Sequence, residues 1–260
     1  MFRHMQWLGG LALASALAGC GPAGPSGPAE QAIVGLNFAT RPAGAPAAKA
    51  ATRLYPHAAS ETIALGGDTL VVTQAELVLK HIEFKALGDS SSCEDSTGVH
   101  EGCHELAVGP MLVDLPLGGG AARQLLVAVQ PGTYGEVEFE IHKTGHGSDE
   151  DVFLAAHPDL RDVSIRVTGT FDKTPFTYVT DVEAEQEQEF GKPLQVSAGS
   201  SLDVTLLVDL DTWFLDPSRS HLVDPASAAK GQPNEGQIDE NIKRSFNAFR
   251  DDDRDGESDD

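Results

Sequence analysis

Between residues 61 and 215, apolar and polar side chains alternate along several short segments, and this period of two constrains the fold most. In the clearest segment, Val137, Phe139 and Ile141 alternate with glutamates. Successive side chains of a β-strand point to opposite faces of a sheet, so the pattern predicts strands with one buried and one solvated face. The other segments that fit a strand are 33–38, 69–72, 77–84, 111–115, 125–129, 163–167, 176–179 and 204–210.

Clusters of glycine and proline separate these segments, as turns between strands require. Examples are Gly66-Gly67-Asp68, Pro131-Gly132 and Ala198-Gly199-Ser200. Many short strands without amphipathic helices between them favour an antiparallel sandwich or barrel. We therefore expect an all-β protein in which residues 33–216 form one antiparallel β-sandwich.

The segment Val129-Gln130-Pro131-Gly132-Thr133-Tyr134 resembles the Pro-Gly-x-Tyr turn of prealbumin-like sandwiches. Such a turn is expected to place Gly132 at positive φ and to begin the next strand with the buried ring of Tyr134. Over residues 69–215 the order of short motifs resembles a family of bacterial secreted and lipoprotein sandwiches of unknown function. That resemblance implies a prealbumin- or immunoglobulin-like fold and transfers no catalytic residue. The motifs are Leu79-Lys80-His81-Ile82-Glu83-Phe84, Val113-Asp114-Leu115, the turn itself and Val208-Asp209-Leu210.

The N-terminus has the composition of an export signal. Arg3 precedes a short apolar run at 8–17, which is too short to span a bilayer of ~30 Å. The run closes on Leu17-Ala18-Gly19-Cys20, which resembles a bacterial lipobox. The resemblance implies cleavage of residues 1–19 and lipid attachment at Cys20, followed by a Pro/Gly-rich tether over 20–32. It also implies anchoring in the cell envelope, with the outer membrane favoured by Gly21; an ordinary signal peptide with a chance cysteine is the alternative.

Acidic residues outnumber basic ones by 40 to 18, and the formal net charge is -22. Such a surface repels nucleic acid, so the expected partners are the membrane, through the lipid anchor, and a cation or a basic or neutral ligand. The common catalytic and nucleotide-binding motifs are absent from the sequence. We therefore predict a non-catalytic binding or structural module; metal handling and an unrecognised hydrolase are the alternatives.

Once Cys20 carries lipid, Cys93 and Cys103 remain as an even pair in an oxidising compartment. A disulfide between them is the prediction. A transition-metal site that uses His100 and His104 together with the cysteines is the alternative. His142 and His146, with Asp149, Glu150 and Asp151 close by in the sequence, are a second and looser candidate for a divalent metal, and solvated loop histidines are the alternative.

Beyond residue 216 the pattern changes to a loop and a helix over 217–250, followed by an acidic tail at 251–260. The helix is predicted from a stripe at Ile238, Ile242, Phe246 and Phe249. The helix end and tail resemble the entering half of an EF-hand, which implies a weak calcium site because the chain stops before the usual twelfth ligand. A solvated acidic tail is the alternative. The implied ligands are Asp251, Asp253, Asp255, Glu257 and Asp259, with Gly256 at the turn.

A second acidic run places carboxylates at every other position of 181–189. In a strand all five would share one face, about 6.6 Å apart. This face either attracts cations or a basic partner, or is a solvated edge that discourages pairing with other chains.

Overall fold

The computed structural model describes residues 31–41, 60–87, 103–106, 109–118 and 121–259. Within these ranges most residues lie in strands, and the helices are short. The strands are β1 Ala32–Thr40, β2 Glu61–Leu65, β3 Asp68–Ala86, β4 Cys103–Leu106, β5 Met111–Asp114, β6 Ala121–Val129, β7 Gly132–Ile141, β8 Ile165–Phe171, β9 Thr174–Thr180, β10 Ala184–Val196, β11 Ser201–Val208 and β12 Phe246–Arg250. The α-helices are α1 Ser148–Ala156 and α2 Glu235–Lys243, and short 3₁₀ turns cover Pro158–Leu160, Leu210–Thr212 and Pro225–Ser227.

Two sheets share one hydrophobic core, so the predicted all-β sandwich is confirmed. The smaller sheet has the strand order β12-β11-β1-β6, and the larger has β10-β7-β3-β8-β9, with β2, β4 and β5 also paired to β3. Most neighbours are antiparallel, but β1 and β11 run parallel, with Ile33 opposite Ser201. This parallel pair places β1, the first of the described strands, beside β11, one of the last two.

The strands predicted at 69–72 and 77–84 are the two ends of one long strand, β3. Irregular register between Val72 and Gln74 lets this strand bend while it pairs with β8. Gly169 lies opposite that bend, where a Cβ atom would come within 1.9 Å of the Val71 carbonyl oxygen. Only glycine therefore permits this close approach of the two backbones.

The hydrophobic core continues beyond residue 216, which was the predicted end of the sandwich. Trp213 is fully buried, and its indole nitrogen donates to the Ser245 hydroxyl at 2.8 Å. Ile238 and Ile242 of α2 pack in the same core as the two sheets. The part of the chain after residue 216 is thus integral to the sandwich.

The predicted C-terminal helix is wrong over its second half. Helix α2 ends at Lys243, and Phe246–Arg250 forms β12, paired antiparallel with β11. Phe246 and Ala248 are both buried and lie two positions apart, which is the spacing of a strand. Phe246 also continues the helical stripe, so the sequence pattern was compatible with either structure. The open edge of β11 supplied hydrogen-bond partners that favoured the strand.

Two further predictions, one about the turn at Gly132 and one about helices between the strands, were wrong. Gly132 does not have positive φ, and β7 already begins at this residue. The strand β7 is followed by α1, although no helix was expected between the strands. The ring of Tyr134 is buried as expected, and its hydroxyl donates to the Gln130 carbonyl at 2.8 Å.

No helix in the described ranges is both long enough and apolar enough to cross a membrane.

Candidate metal loop and the acidic face

The acidic C-terminal segment, residues 251–259, folds back over the outer face of the four-stranded sheet. The Asp251 amide donates to the Asp203 carbonyl at 3.0 Å, next to the last pair of the β11–β12 ladder. Farther on, the Arg254 carbonyl accepts from the Ala121 amide of β6 at 3.4 Å. The segment therefore crosses from the β12 edge toward β6. We call it the acidic loop.

Asp251 attaches this loop to the sheet through its side chain, which is fully buried. Its Oδ2 atom accepts hydrogen bonds from the Thr205 hydroxyl at 2.6 Å and from the Gly256 amide at 3.1 Å. Its Oδ1 atom accepts from the Asp255 amide at 3.0 Å. The carboxylate thus connects the sheet to the turn at Gly256. Gly256 has a φ of 84°, which glycine adopts readily.

Burial raises the pKa of Asp251 to about 6. Hydrogen bonds from Thr205, Gly256 and Asp255 oppose this rise, and the nearby negative charge of Asp255 adds to it. Burial also raises the pKa of Asp255, and the charges of the neighbouring acids add to that shift. Both carboxylates are therefore costly to ionise in the absence of a positive charge.

The structure brings three of the five predicted ligands together. Oxygens of Asp251, Asp253 and Asp255 lie within 4.8 Å of one another. Glu257 and Asp259 have other contacts in the loop: the Glu257 amide donates to Asp255 Oδ1 at 2.8 Å, and Asp259 Oδ2 accepts from the Asp252 amide at 2.7 Å. Their role as ligands stays a prediction.

Sequence reasoning missed Asn37 of β1, which lies beside Thr205 in the smaller sheet. It is opposite Thr205 in the parallel register and is fully buried. Its amide nitrogen donates to the Val204 carbonyl at 3.1 Å, with Asp203 Oδ1 at 3.4 Å. Within the described part of the chain, its Oδ1 atom accepts no hydrogen bond. A buried carbonyl oxygen without a donor is unusual, and amide oxygens are ligands that Ca²⁺ accepts.

A second concentration of charge lies on the larger sheet, where β7 and the edge strand β10 pair. Most of the acidic run at 181–189 is in β10, and its glutamates point to the exposed side. They lie opposite glutamates of β7 in three consecutive pairs. We call this surface the acidic face; its pairs are Glu185 with Glu140, Glu187 with Glu138, and Glu189 with Glu136.

Lys85 of β3 neutralises the centre of the acidic face. Its ammonium group contacts Glu138, lies 3.0 Å from Glu136 and lies 3.5 Å from Glu187. Burial alone would lower the pKa of Lys85, but the hydrogen bonds and charges of Glu138 and Glu136 outweigh it and raise that pKa. These three glutamates therefore have a cation supplied by the protein.

The remaining site predictions fall largely outside the described residues. Cys20, Cys93 and His100 lie outside them, and Cys103 begins β4. The lipid anchor and the disulfide therefore stay predictions.

Comparison of the chain with models of protein families, with curated proteins and with solved structures found no match.

Proposed function

We propose that the chain is a lipid-anchored envelope protein whose non-catalytic β-sandwich binds Ca²⁺ in the acidic loop. The convergence of Asp251, Asp253 and Asp255 carries the calcium proposal, because three carboxylates within 4.8 Å repel one another unless a cation lies between them. An ion bound here would stabilise the loop in its position across the sheet, so the role of the ion would be structural.

Three further features of the loop's surroundings fit Ca²⁺. The donors are carboxylate and amide oxygens, which hard cations prefer. The cost of ionising the buried Asp251 carboxylate would also fall once a divalent ion shared the site. We include Asn37 Oδ1 as a candidate further ligand, because it accepts no hydrogen bond from the described residues and Asn37 pairs with Thr205, which contacts Asp251.

Calorimetric titration of Ca²⁺ into the protein at fixed ionic strength tests this proposal. The expected Kd is on the order of 10⁻⁴–10⁻³ M, the range of extracellular calcium modules. A double variant, Asp253→Asn with Asp255→Asn, should lose the binding heat and keep the fold, because Asp251 retains its contacts to the sheet. Mg²⁺, which needs a tighter octahedral shell, should bind more weakly.

A matched control separates local binding from the charge of the whole molecule. The variant Glu187→Gln with Glu189→Gln removes the same two charges from exposed positions of the acidic face. It should bind Ca²⁺ as the wild type does. Equal heats for the wild type and the Asp253/Asp255 variant would reject the calcium site and leave the loop as a solvated acidic end.

The anchoring part of the proposal rests on Leu17-Ala18-Gly19-Cys20 behind an apolar run. Intact mass of membrane-extracted protein should show loss of residues 1–19 and addition of diacylglycerol at Cys20. The variant Cys20→Ala should leave the membrane fraction, because the acyl chains would supply the hydrophobic attachment. An unmodified Cys20 in mature protein would overturn the anchor without affecting the calcium result.

A further inference from the structure

A second group of metal-ligating side chains lies beyond the end of β7, away from the acidic loop. His142 directly follows β7 and is buried. Both of its ring nitrogens face carboxylates: Nε2 lies 2.6 Å from Glu150 Oε1, and Nδ1 lies 3.0 Å from Glu140 Oε1. Glu183, immediately before β10, completes a group with Glu140 and His142 in which ligand atoms lie within 4.8 Å of one another.

Glu150, the carboxylate that faces Nε2, has further partners of its own. Glu150 is buried in α1, accepts from the Gly145 amide at 3.3 Å and lies 3.6 Å from the Lys80 ammonium. Its own charge is therefore balanced, and it is well placed to accept the Nε2 proton of His142. When the imidazole is neutral and donates from Nε2 to Glu150, Nδ1 carries a lone pair on the side of Glu140.

His142 Nδ1 and Glu140 Oε1 lie 3.0 Å apart, a separation that fits two ligands of one metal ion as well as a hydrogen bond. In a tetrahedral zinc site the ligand atoms are about 3.3 Å apart, given zinc–ligand bonds of ~2.0–2.1 Å. A carboxylate on the far nitrogen of a histidine ligand is also the usual support for that ligand. The carboxylates of Glu140 and Glu183 together carry two negative charges, which matches the charge of one divalent ion.

We infer that His142 Nδ1, Glu140 and Glu183 form a binding site for a divalent transition-metal ion of the Zn²⁺ class. One imidazole nitrogen with two carboxylate oxygens favours Zn²⁺ over Ca²⁺, which prefers an all-oxygen shell. Glu183 is exposed, so the ion would be open to water on one side. Glu150 is a positioning residue that holds the ring from behind.

The test is a calorimetric titration of ZnCl₂ into the full chain, first saturated with Ca²⁺ so that the acidic loop does not compete. Glu183→Gln should weaken zinc binding at least tenfold without affecting folding, since its side chain is exposed. His142→Gln should abolish binding. His146→Gln is the matched control, because His146 is exposed and lies four residues after His142. This variant should bind zinc as the wild type does.

Spectroscopy locates the ion. Zinc should shift the ¹⁵N resonance of His142 Nδ1, and Co²⁺ should give a visible spectrum of nitrogen and oxygen ligands without a thiolate charge-transfer band. Glu150→Ala should weaken binding 10–100-fold, and Glu150→Gln, which keeps an acceptor, should lose less. Unchanged zinc affinity in Glu183→Gln and His142→Gln would overturn the inference. So would a metal-free His142 ring that is protonated on both nitrogens and binds no zinc.

Discussion

The Asp251 carboxylate is buried away from water, so the free energy of its charged form depends on the groups that surround it. The hydroxyl of Thr205 and two backbone amides stabilise its charged form, yet burial still raises its pKa to about 6. Each pKa unit corresponds to about 1.4 kcal/mol between the two protonation states. At neutral pH the ionised group therefore costs the folded protein free energy that a bound cation would offset.

The pH dependence of stability should reveal this cost. The folded-state pKa of Asp251, about 6, lies above the ordinary value of 3.8, so the folded protein holds the proton more tightly. The stability that this proton provides is complete below pH 4 and is lost as pH rises through 6. We expect a loss on the order of 2 kcal/mol in chelator, less in saturating Ca²⁺.

Urea denaturation at pH 4, 5, 6 and 7 measures the effect. The variant Asp251→Asn, which cannot ionise, should lack this part of the pH dependence. Parallel curves for the wild type and the variant, with and without Ca²⁺, would show that Asp251 carries no buried charge.

Sequence reasoning reached the carboxylates of this site but not their surroundings. The spacing of Asp251, Asp253 and Asp255 followed by a glycine was visible in the chain. Thr205 was not, because it lies 46 residues before Asp251, to which its hydroxyl donates. Asn37 was not, because its contact with Asp203 joins residues that are 166 positions apart. No local pattern encodes such a contact.

At the scale of elements, the pairing of β7 with β10 sets three pairs of glutamates directly opposite one another. Like charges in directly opposed positions destabilise a sheet. Lys85 reduces this repulsion from the neighbouring strand β3, where its ammonium is about one quarter exposed, at 27%. The ladder therefore depends on a cation that belongs to a third strand.

Replacing Lys85 with methionine tests this dependence. The change keeps the aliphatic stem and removes the charge, so Lys85→Met should lower the free energy of unfolding by about 1–2 kcal/mol. Part of the loss should return at about 0.5 M NaCl, because salt screens the remaining carboxylates. Chemical denaturation at two salt concentrations measures both effects.

Lys192→Met is the control, since Lys192 is exposed on β10 itself. It removes the same net charge and should change stability little. An equal loss in both variants would attribute the effect to net charge alone.

The elements differ in how well their sequences predicted them. Strands such as β7 were readable because every second side chain is buried against the core. Phe246–Arg250 was not, because its helical stripe and its strand pattern share the same apolar residues and only the free edge of β11 decides between them. Helix α1 has weak amphipathic character, with just Glu150, Phe153 and Leu154 buried, so periodicity gave little signal for it.

For the whole molecule, the most consequential element is β1. It lies inside the smaller sheet, between β11 and β6, and its side chains at Val34, Leu36 and Phe38 are buried in the core. The sheet therefore depends on residues that directly follow the predicted tether.

Two N-terminal truncations should behave very differently. A chain that begins at Gln31 keeps β1 and should unfold cooperatively like the untruncated protein. A chain that begins after Arg41 lacks β1, which leaves β11 and β6 without their shared partner, and should not fold to the native state. Circular dichroism and thermal melts distinguish the two; a cooperative melt of the shorter chain would show that β1 is dispensable.

The parallel contact between β1 and β11 also bears on when the protein can fold. Contacts such as that between Asn37 and Asp203, 166 residues apart, must wait for nearly the whole chain, and topologies rich in such contacts fold slowly. At synthesis rates of ~5–20 residues per second, roughly 10–30 s separate the emergence of these two residues. During that interval the smaller sheet cannot close. If the chain is exported to the envelope, as we propose, this delay would keep it unfolded and competent for translocation.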